Sequence, residues 1–115
     1  VVSLAVGVHR ALQVAEALGP EGIDCEVIDV RTVRPLDREA IAASVARTRR
    51  LLVVDEDYRE FGLSGEVAAV ALEAGLAPRF ARLGLAATIP YARHLEAAVL
   101  PGADRIAEAV RSLCR

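Results

Sequence analysis

Side chains able to do chemistry gather in two places: His9, and Asp55, Glu56, Tyr58 and Arg59 within LLVVDEDYREFGLSGEVAAV (Leu51 to Val70). His9 offers an imidazole, the group most often used as a general base near neutral pH, but it stands in the first turn of an amphipathic pattern with no assured partner. Asp55 and Glu56 have the chemistry of an acid and base pair. Neighbours on a strand point to opposite faces, so solvated carboxylates ending a buried run explain them better than a shared site. Farther along, Gly62, Ser64 and Gly65 expose backbone N–H groups at a helix start, which can hold an anion. Close packing against another chain needs small residues there just as much, and the glycine spacing is not a dinucleotide fingerprint. Arg31 and Arg34 flank Thr32 and could clamp a phosphate or carboxylate; ion pairing with Asp29 or Asp37 uses the same residues. The chain has no Ser-His-Asp set, Walker loop, HExxH or paired CxxC.

Composition narrows the classes further. At 115 residues and 54% hydrophobic, the chain fits one folded domain with a single core. The formal charge of −2 includes fourteen basic residues, every one an arginine, scattered without a run or stripe. That distribution argues against nucleic acid and anionic membrane as partners. Apolar runs fall well short of the roughly 18 residues of a membrane span, and no charged signal-peptide start is seen, so the expected location is cytoplasmic. Cys25 and Cys114 are distant in sequence and lack metal-ligand spacing, which predicts unpaired thiols beside apolar neighbours.

The elements that must position these residues alternate between strand and helix patterns. Val1 to Val6 reads as a strand broken at Gly7, followed by a helix through Val8, Ala11, Leu12, Ala15 and Leu18 that stops at Gly19-Pro20. Ile23 to Val30 is the second strand. A helix follows Pro35, with Asp37 as N-cap and Ile41 and Val45 inward. Leu51 to Val54 is uniformly apolar, as a strand covered on both faces should be. A third helix spans Gly62 to Ala74, closed by Gly75, and Arg79 to Leu83 is a weaker fourth strand. A short helical segment from Tyr91 to Ala98 precedes a last helix that turns Ile106, Ala109, Val110 and Leu113 inward. Alternation of this kind predicts an α/β fold with a parallel sheet between helical layers. With the strands in order 2-1-3-4, a crevice opens between the carboxyl ends of the first and third, where His9, Asp55, Glu56, Tyr58 and Arg59 are expected to meet.

Three longer strings add a family likeness. EVIDVRTVRPLDREAI (Glu26 to Ile41), LLVVDEDYREFGLSGEVAAVAL (Leu51 to Leu72) and IPYARHLEAAVLP (Ile89 to Pro101) resemble, in order and spacing, the C-terminal domain of the β subunit of 2-oxoacid dehydrogenase E1 components, of which pyruvate dehydrogenase is the best-known example. GVHRALQVAEAL resembles the first helix of that family, so the likeness covers nearly the whole chain. The RTVRPLD string is shared with deoxyxylulose-phosphate synthase, whereas IPYARHLE points to the E1 β branch. The resemblance implies a three-layer α/β/α domain of the transketolase C-terminal type, with the usual antiparallel first strand and the preceding thiamine-diphosphate pyrimidine domain outside this segment. It also implies that the intact enzyme, with thiamine diphosphate and Mg, decarboxylates a 2-oxo acid and acylates the lipoyl group of E2. This domain alone is expected to bind no cofactor and to be inactive.

The domain's implied work is assembly, with the E1 α subunit and a second β subunit as partners and a docking surface for the E2 subunit-binding domain. Interface candidates are His9, Glu56, Tyr58, Arg59, Phe61, Gly62, Ser64, Gly65 and Tyr91. At the family's docking carboxylate, two residues before the proline of GLAPRF, this chain has Leu76. Glu73 lies one turn earlier, and Arg115 ends the chain where apolar residues are common; these three are the docking candidates. The alternatives are the C-terminal domain of a transketolase or deoxyxylulose-phosphate synthase, and a free-standing flavodoxin-like module holding a small anion at His9 or Ser64-Gly65. An isolated piece is also expected to self-associate through an unpaired sheet edge.

Overall fold

The computed structural model describes residues 1–115. Four parallel strands, β1 (Val2–Ser3), β2 (Ile28–Asp29), β3 (Arg50–Tyr58) and β4 (Arg79–Leu85), form one sheet in the order β2-β1-β3-β4. The predicted order and direction are therefore those observed. Five α-helices accompany it: α1 (Val6–Leu18), α2 (Arg38–Thr48), α3 (Leu63–Glu73), α4 (Arg93–Val99) and α5 (Ala103–Cys114).

Alternation along β3 divides the core into two half-cores. Leu51 and Val53 face α2 and α3, packing with Ile41, Val45, Val67, Val70 and Ala71. Leu52 and Val54 face the other way, against Val14 and Leu18 of α1 and Ile106, Val110 and Leu113 of α5. A strand enclosed on both sides has no face for polar residues, and each of these four side chains is fully buried. The result is a three-layer sandwich. On the α5 side the predicted stripe holds: Ile106, Val110 and Leu113 are buried, and Ala109 packs against the same cluster.

Local chemistry sets the helix ends. The Asp37 side chain accepts the backbone N–H of Ala40 at 3.0 Å, capping α2 as expected. Gly75, with φ of 72°, follows α3 in the left-handed conformation that favours glycine. α2 and α3 are also tied at their surfaces, where Arg38 reaches Glu66 at 3.1 Å and also bonds Glu73.

The strand boundaries depart from expectation at both ends of the sheet. β1 is shorter than Val1 to Val6, because α1 already begins at Val6, and Gly7, expected to end the strand, lies inside that helix. Gly7 is needed for close approach: a Cβ there would stand 2.3 Å from the Ser3 hydroxyl. That hydroxyl donates to the Val54 carbonyl at 2.7 Å, so the first turn of α1 sits tightly over the β1–β3 ladder. β2 is likewise only a short ladder within the expected Ile23 to Val30 segment. β3 instead runs on through Asp55, Glu56 and Asp57 to Tyr58.

Candidate functional site

The extension of β3 reshapes the carboxyl end of the sheet. The segment from Asp55 to Tyr58 was expected to be loop; it is strand, because β4 continues beside it to Leu85. Between the pairs Val54–Leu83 and Tyr58–Leu85 the ladder shifts register, with β3 carrying the extra residues of a bulge. Gly84 makes this possible. A Cβ at that position would lie 2.9 Å from the Asp57 carbonyl oxygen and 3.2 Å from the Arg59 nitrogen, both backbone atoms that cannot swing aside.

Beyond the bulge the chain folds back sharply. The Arg59 N–H donates to the Leu85 carbonyl at 2.8 Å, and Ser64 donates its hydroxyl to the Arg59 carbonyl at 3.3 Å. Ser64 is thus buried beneath the turn and does not cap α3; Gly62 occupies the N-cap position without a side-chain bond. Gly62 has no room for a side chain, since a Cβ would come within 2.1 Å of the Tyr58 carbonyl oxygen. Gly65, by contrast, has open space around it. Phe61, between the tight turn and α3, is held at φ of 62°, a conformation that costs a non-glycine residue roughly 1–2 kcal/mol.

This strained turn presents its side chains outward. Phe61 is fully exposed, Tyr58 is 45% exposed, and the Tyr58 hydroxyl lies 3.2 Å from that of Thr88 on the segment after β4. Tyr58, Arg59, Glu60, Phe61, Leu85 and Ala86 line an open cavity of about 360 Å³. Tyr91, farther along that same segment, is also fully exposed. Together with Phe80 these are the four aromatic residues of the chain, and every one of them lies outside the core.

The crevice expected between the ends of β1 and β3 is organised differently. His9 is exposed on α1 and takes no part in it. Its neighbour Arg10 reaches in instead, donating to Glu56 at 2.6 Å and to the Pro101 carbonyl at 3.1 Å. One guanidinium thereby joins α1, the end of β3 and the turn before α5. Asp55 accepts the backbone N–H of Asp57 at 3.2 Å, so the two adjacent carboxylates serve separate partners, as their alternation predicts. Arg10 was not among the sequence candidates. Its only signal was its place beside His9 in the helix turn that follows β1.

The remaining candidates resolve into structural roles. Arg31 pairs with Asp29 at 3.1 Å on the surface. Leu76 packs against the α2–α3 half-core, and Glu73 is engaged by Arg38, while Arg115 is exposed at the chain end. No three His, Cys, Asp or Glu side chains are placed to hold a metal ion together. No helix is long and apolar enough to cross a membrane.

At the opposite end of the sheet lies a cleft of about 490 Å³, bordered by the segment leading into β2, the end of α2 and the end of α5. Glu26 is bonded there by the Ser44 hydroxyl and by Arg47. The Ser44 bond, followed by the charge of Arg47, holds the Glu26 carboxyl below the usual glutamate range despite some desolvation. Arg50 donates its Nε–H to the Leu113 carbonyl at 2.9 Å, closing the last turn of α5 onto the start of β3. Cys25 and Cys114 both line this cleft, a proximity that their distance in sequence concealed.

A parallel sheet in the order 2-1-3-4 covered by helices on both faces defines an α/β sandwich, and residues 1–106 match the family described as "Transketolase, C-terminal domain". The chain belongs to that family. Among curated proteins it is 36% identical to the pyruvate dehydrogenase E1 component subunit beta of Rickettsia conorii, over 99% of this chain and 36% of the relative. It is 38% identical to subunit beta-1 of the mitochondrial enzyme of Arabidopsis thaliana, over 99% of this chain and 32% of the relative. A solved structure of a split gene transketolase, described as an inactive beta4 tetramer, superposes with a TM-score of 0.87 at 25% identity, covering 97% of this chain and 37% of that one. The chain thus spans about a third of the length of the proteins it resembles.

Proposed function

We propose that this chain is the assembly and interaction domain of a thiamine-diphosphate-dependent 2-oxoacid dehydrogenase E1 β subunit, working in the cytoplasm. The intact enzyme decarboxylates a 2-oxo acid and passes the acyl group to the lipoyl group of E2. The observation that carries the assembly role is the placement of the aromatic residues. Aromatic side chains supply large buried areas in cores and are enriched at subunit interfaces; here all four are exposed, with Tyr58 at the end of β3 and Phe61 and Tyr91 on the segments that follow β3 and β4. A backbone that holds Phe61 outward at positive φ adds strain that a covering partner offsets.

The partner is another E1 subunit, α or β, with Tyr58 and Phe61 as anchors and Arg59 as the adjoining charge. We assign the thiamine diphosphate and Mg of the intact enzyme to the pyrimidine domain that precedes this one. Docking of E2 through Glu73 would require that carboxylate to leave Arg38, and Leu76 offers no charge in its place. Replacing Tyr58 and Arg59 together by alanine in the intact enzyme is expected to shift sedimentation toward smaller species while circular dichroism stays unchanged. Assembly equal to that of the unaltered enzyme would remove the interface from this turn.

A further inference from the structure

β4 is the last strand of the sheet, with β3 on one side and no strand on the other. Its backbone bonds alternate. The Arg79 N–H donates to the Arg49 carbonyl at 3.0 Å and the Leu85 carbonyl accepts the Arg59 N–H at 2.8 Å, so Arg79, Ala81 and Leu83 direct their backbone groups to β3. Phe80 and Arg82 therefore turn their N–H and C=O groups away from the sheet, where no backbone partner meets them. Side chains follow a second alternation. The register sets Phe80 beside Leu51 and Arg82 beside Val53, on the α2–α3 face, while Ala81 and Leu83 lie beside Leu52 and Val54 on the α1–α5 face. Phe80 is 41% exposed. Arg82 forms no ion pair, and Arg79 reaches only the Ser112 carbonyl, at 3.3 Å. Val1 and Leu113 pack on the α1–α5 side, in the layer opposite Phe80 and Arg82. The edge thus carries two cations three residues apart, with apolar side chains between them and no carboxylate of its own.

An unpaired edge invites another strand, and the side chains decide which. Antiparallel pairing with a second copy of β4 brings arginine opposite arginine, whether it centres on Arg82 or between Phe80 and Ala81. Like charges directly opposite are destabilising. An acidic strand meets the reverse. We propose that the free edge of β4 is a docking site for an extended segment of a partner protein that carries two acidic residues three apart, with apolar residues between them. The segment adds a fifth strand to the sheet. Main-chain bonds to Phe80 and Arg82 attach it, and carboxylates opposite Arg79 and Arg82 select it. An apolar side chain between those carboxylates covers Phe80. The required spacing is the same for a parallel and an antiparallel segment.

The site is independent of the assembly role, because it uses neither Tyr58 nor Phe61. The test uses the full-length protein and two fluorescein-labelled octapeptides, one of valine with two glutamates three apart and one with lysine in place of each glutamate. Fluorescence anisotropy is expected to show the glutamate peptide bound roughly tenfold more tightly than the lysine peptide, a preference that shrinks as salt rises. Arg82→Glu is expected to bring the two peptides to near parity, with circular dichroism unchanged. Bound glutamate peptide is also expected to slow amide exchange across residues 79–85, which charge attraction without strand pairing would leave unaltered. No binding of the glutamate peptide, equal binding of both peptides, a preference untouched by Arg82→Glu, or unchanged exchange at this edge would each overturn the proposal.

Discussion

At the amino ends of the strands, Glu26 is shared between Ser44 and Arg47, and Arg50 closes onto the Leu113 carbonyl. At the carboxyl ends, beyond the Arg10–Glu56 pair, Tyr58, Phe61 and Tyr91 turn toward solvent above a backbone held at positive φ. The first edge satisfies its charged groups within the chain. The second leaves apolar surface uncovered and keeps a strained turn in place to do so. A domain stable by itself needs only the first arrangement; the second becomes useful when something packs against it. Under the assembly role proposed above, one sheet closes its polar groups within the chain at one end and offers aromatic side chains to a partner at the other.

The largest expected effect breaks the tight turn at the carboxyl edge. Gly62→Ala puts a methyl where the Tyr58 carbonyl oxygen already stands, and is expected to cost about 3 kcal/mol in urea unfolding. An unchanged midpoint would mean that the turn rebuilds freely and is not held in the observed shape. Of intermediate size and opposite sign is Phe61→Asn. Asparagine tolerates the left-handed region far better than phenylalanine, and Phe61 gives up no packing within this chain, so a gain of about 1 kcal/mol is expected alongside weaker assembly. Lost stability in the separated subunit would show that Phe61 works inside the fold.

The smallest effect belongs to the amino edge. Glu26→Gln keeps an acceptor for Ser44 but removes the charge facing Arg47, and is expected to cost about 0.5 kcal/mol at neutral pH, an exposed pair being largely screened. Because the folded carboxyl lies below its ordinary range, its contribution is complete above pH about 4.3 and is lost as pH falls through the depressed value. Unfolding curves of the two proteins should therefore converge on acidification, and curves that stayed parallel would place the effect elsewhere.

Much of the architecture was legible because burial leaves a clear trace in residue type. The four-residue apolar run Leu51 to Val54 marks a strand covered on both faces, and Ile106, Val110 and Leu113 mark one face of a helix. The strand order, the Asp37 cap and the independence of Asp55 from Glu56 followed from the same simple rules. Polarity misled where the backbone was decided by a neighbour. Asp55 to Tyr58 has the composition of a loop, yet β4 and the gap left by Gly84 keep it extended. Gly7 ends the apolar run of Val1 to Val6, yet it belongs to α1, where its lack of a side chain lets the helix sit against Ser3. Arg10 went unseen because its partners, Glu56 and the Pro101 carbonyl, converge only after the layers stack. That Cys25 and Cys114 line one cleft was hidden for the same reason.

The absence of rings from the interior alters what spectroscopy of this chain reports. It contains no tryptophan, and both tyrosines are exposed, Tyr58 partly and Tyr91 completely. Melting the hydrophobic layers would therefore scarcely change the surroundings of either phenol. Near-ultraviolet dichroism and tyrosine emission should register the arrival of a neighbour at these rings, leaving the peptide bands as the gauge of the fold.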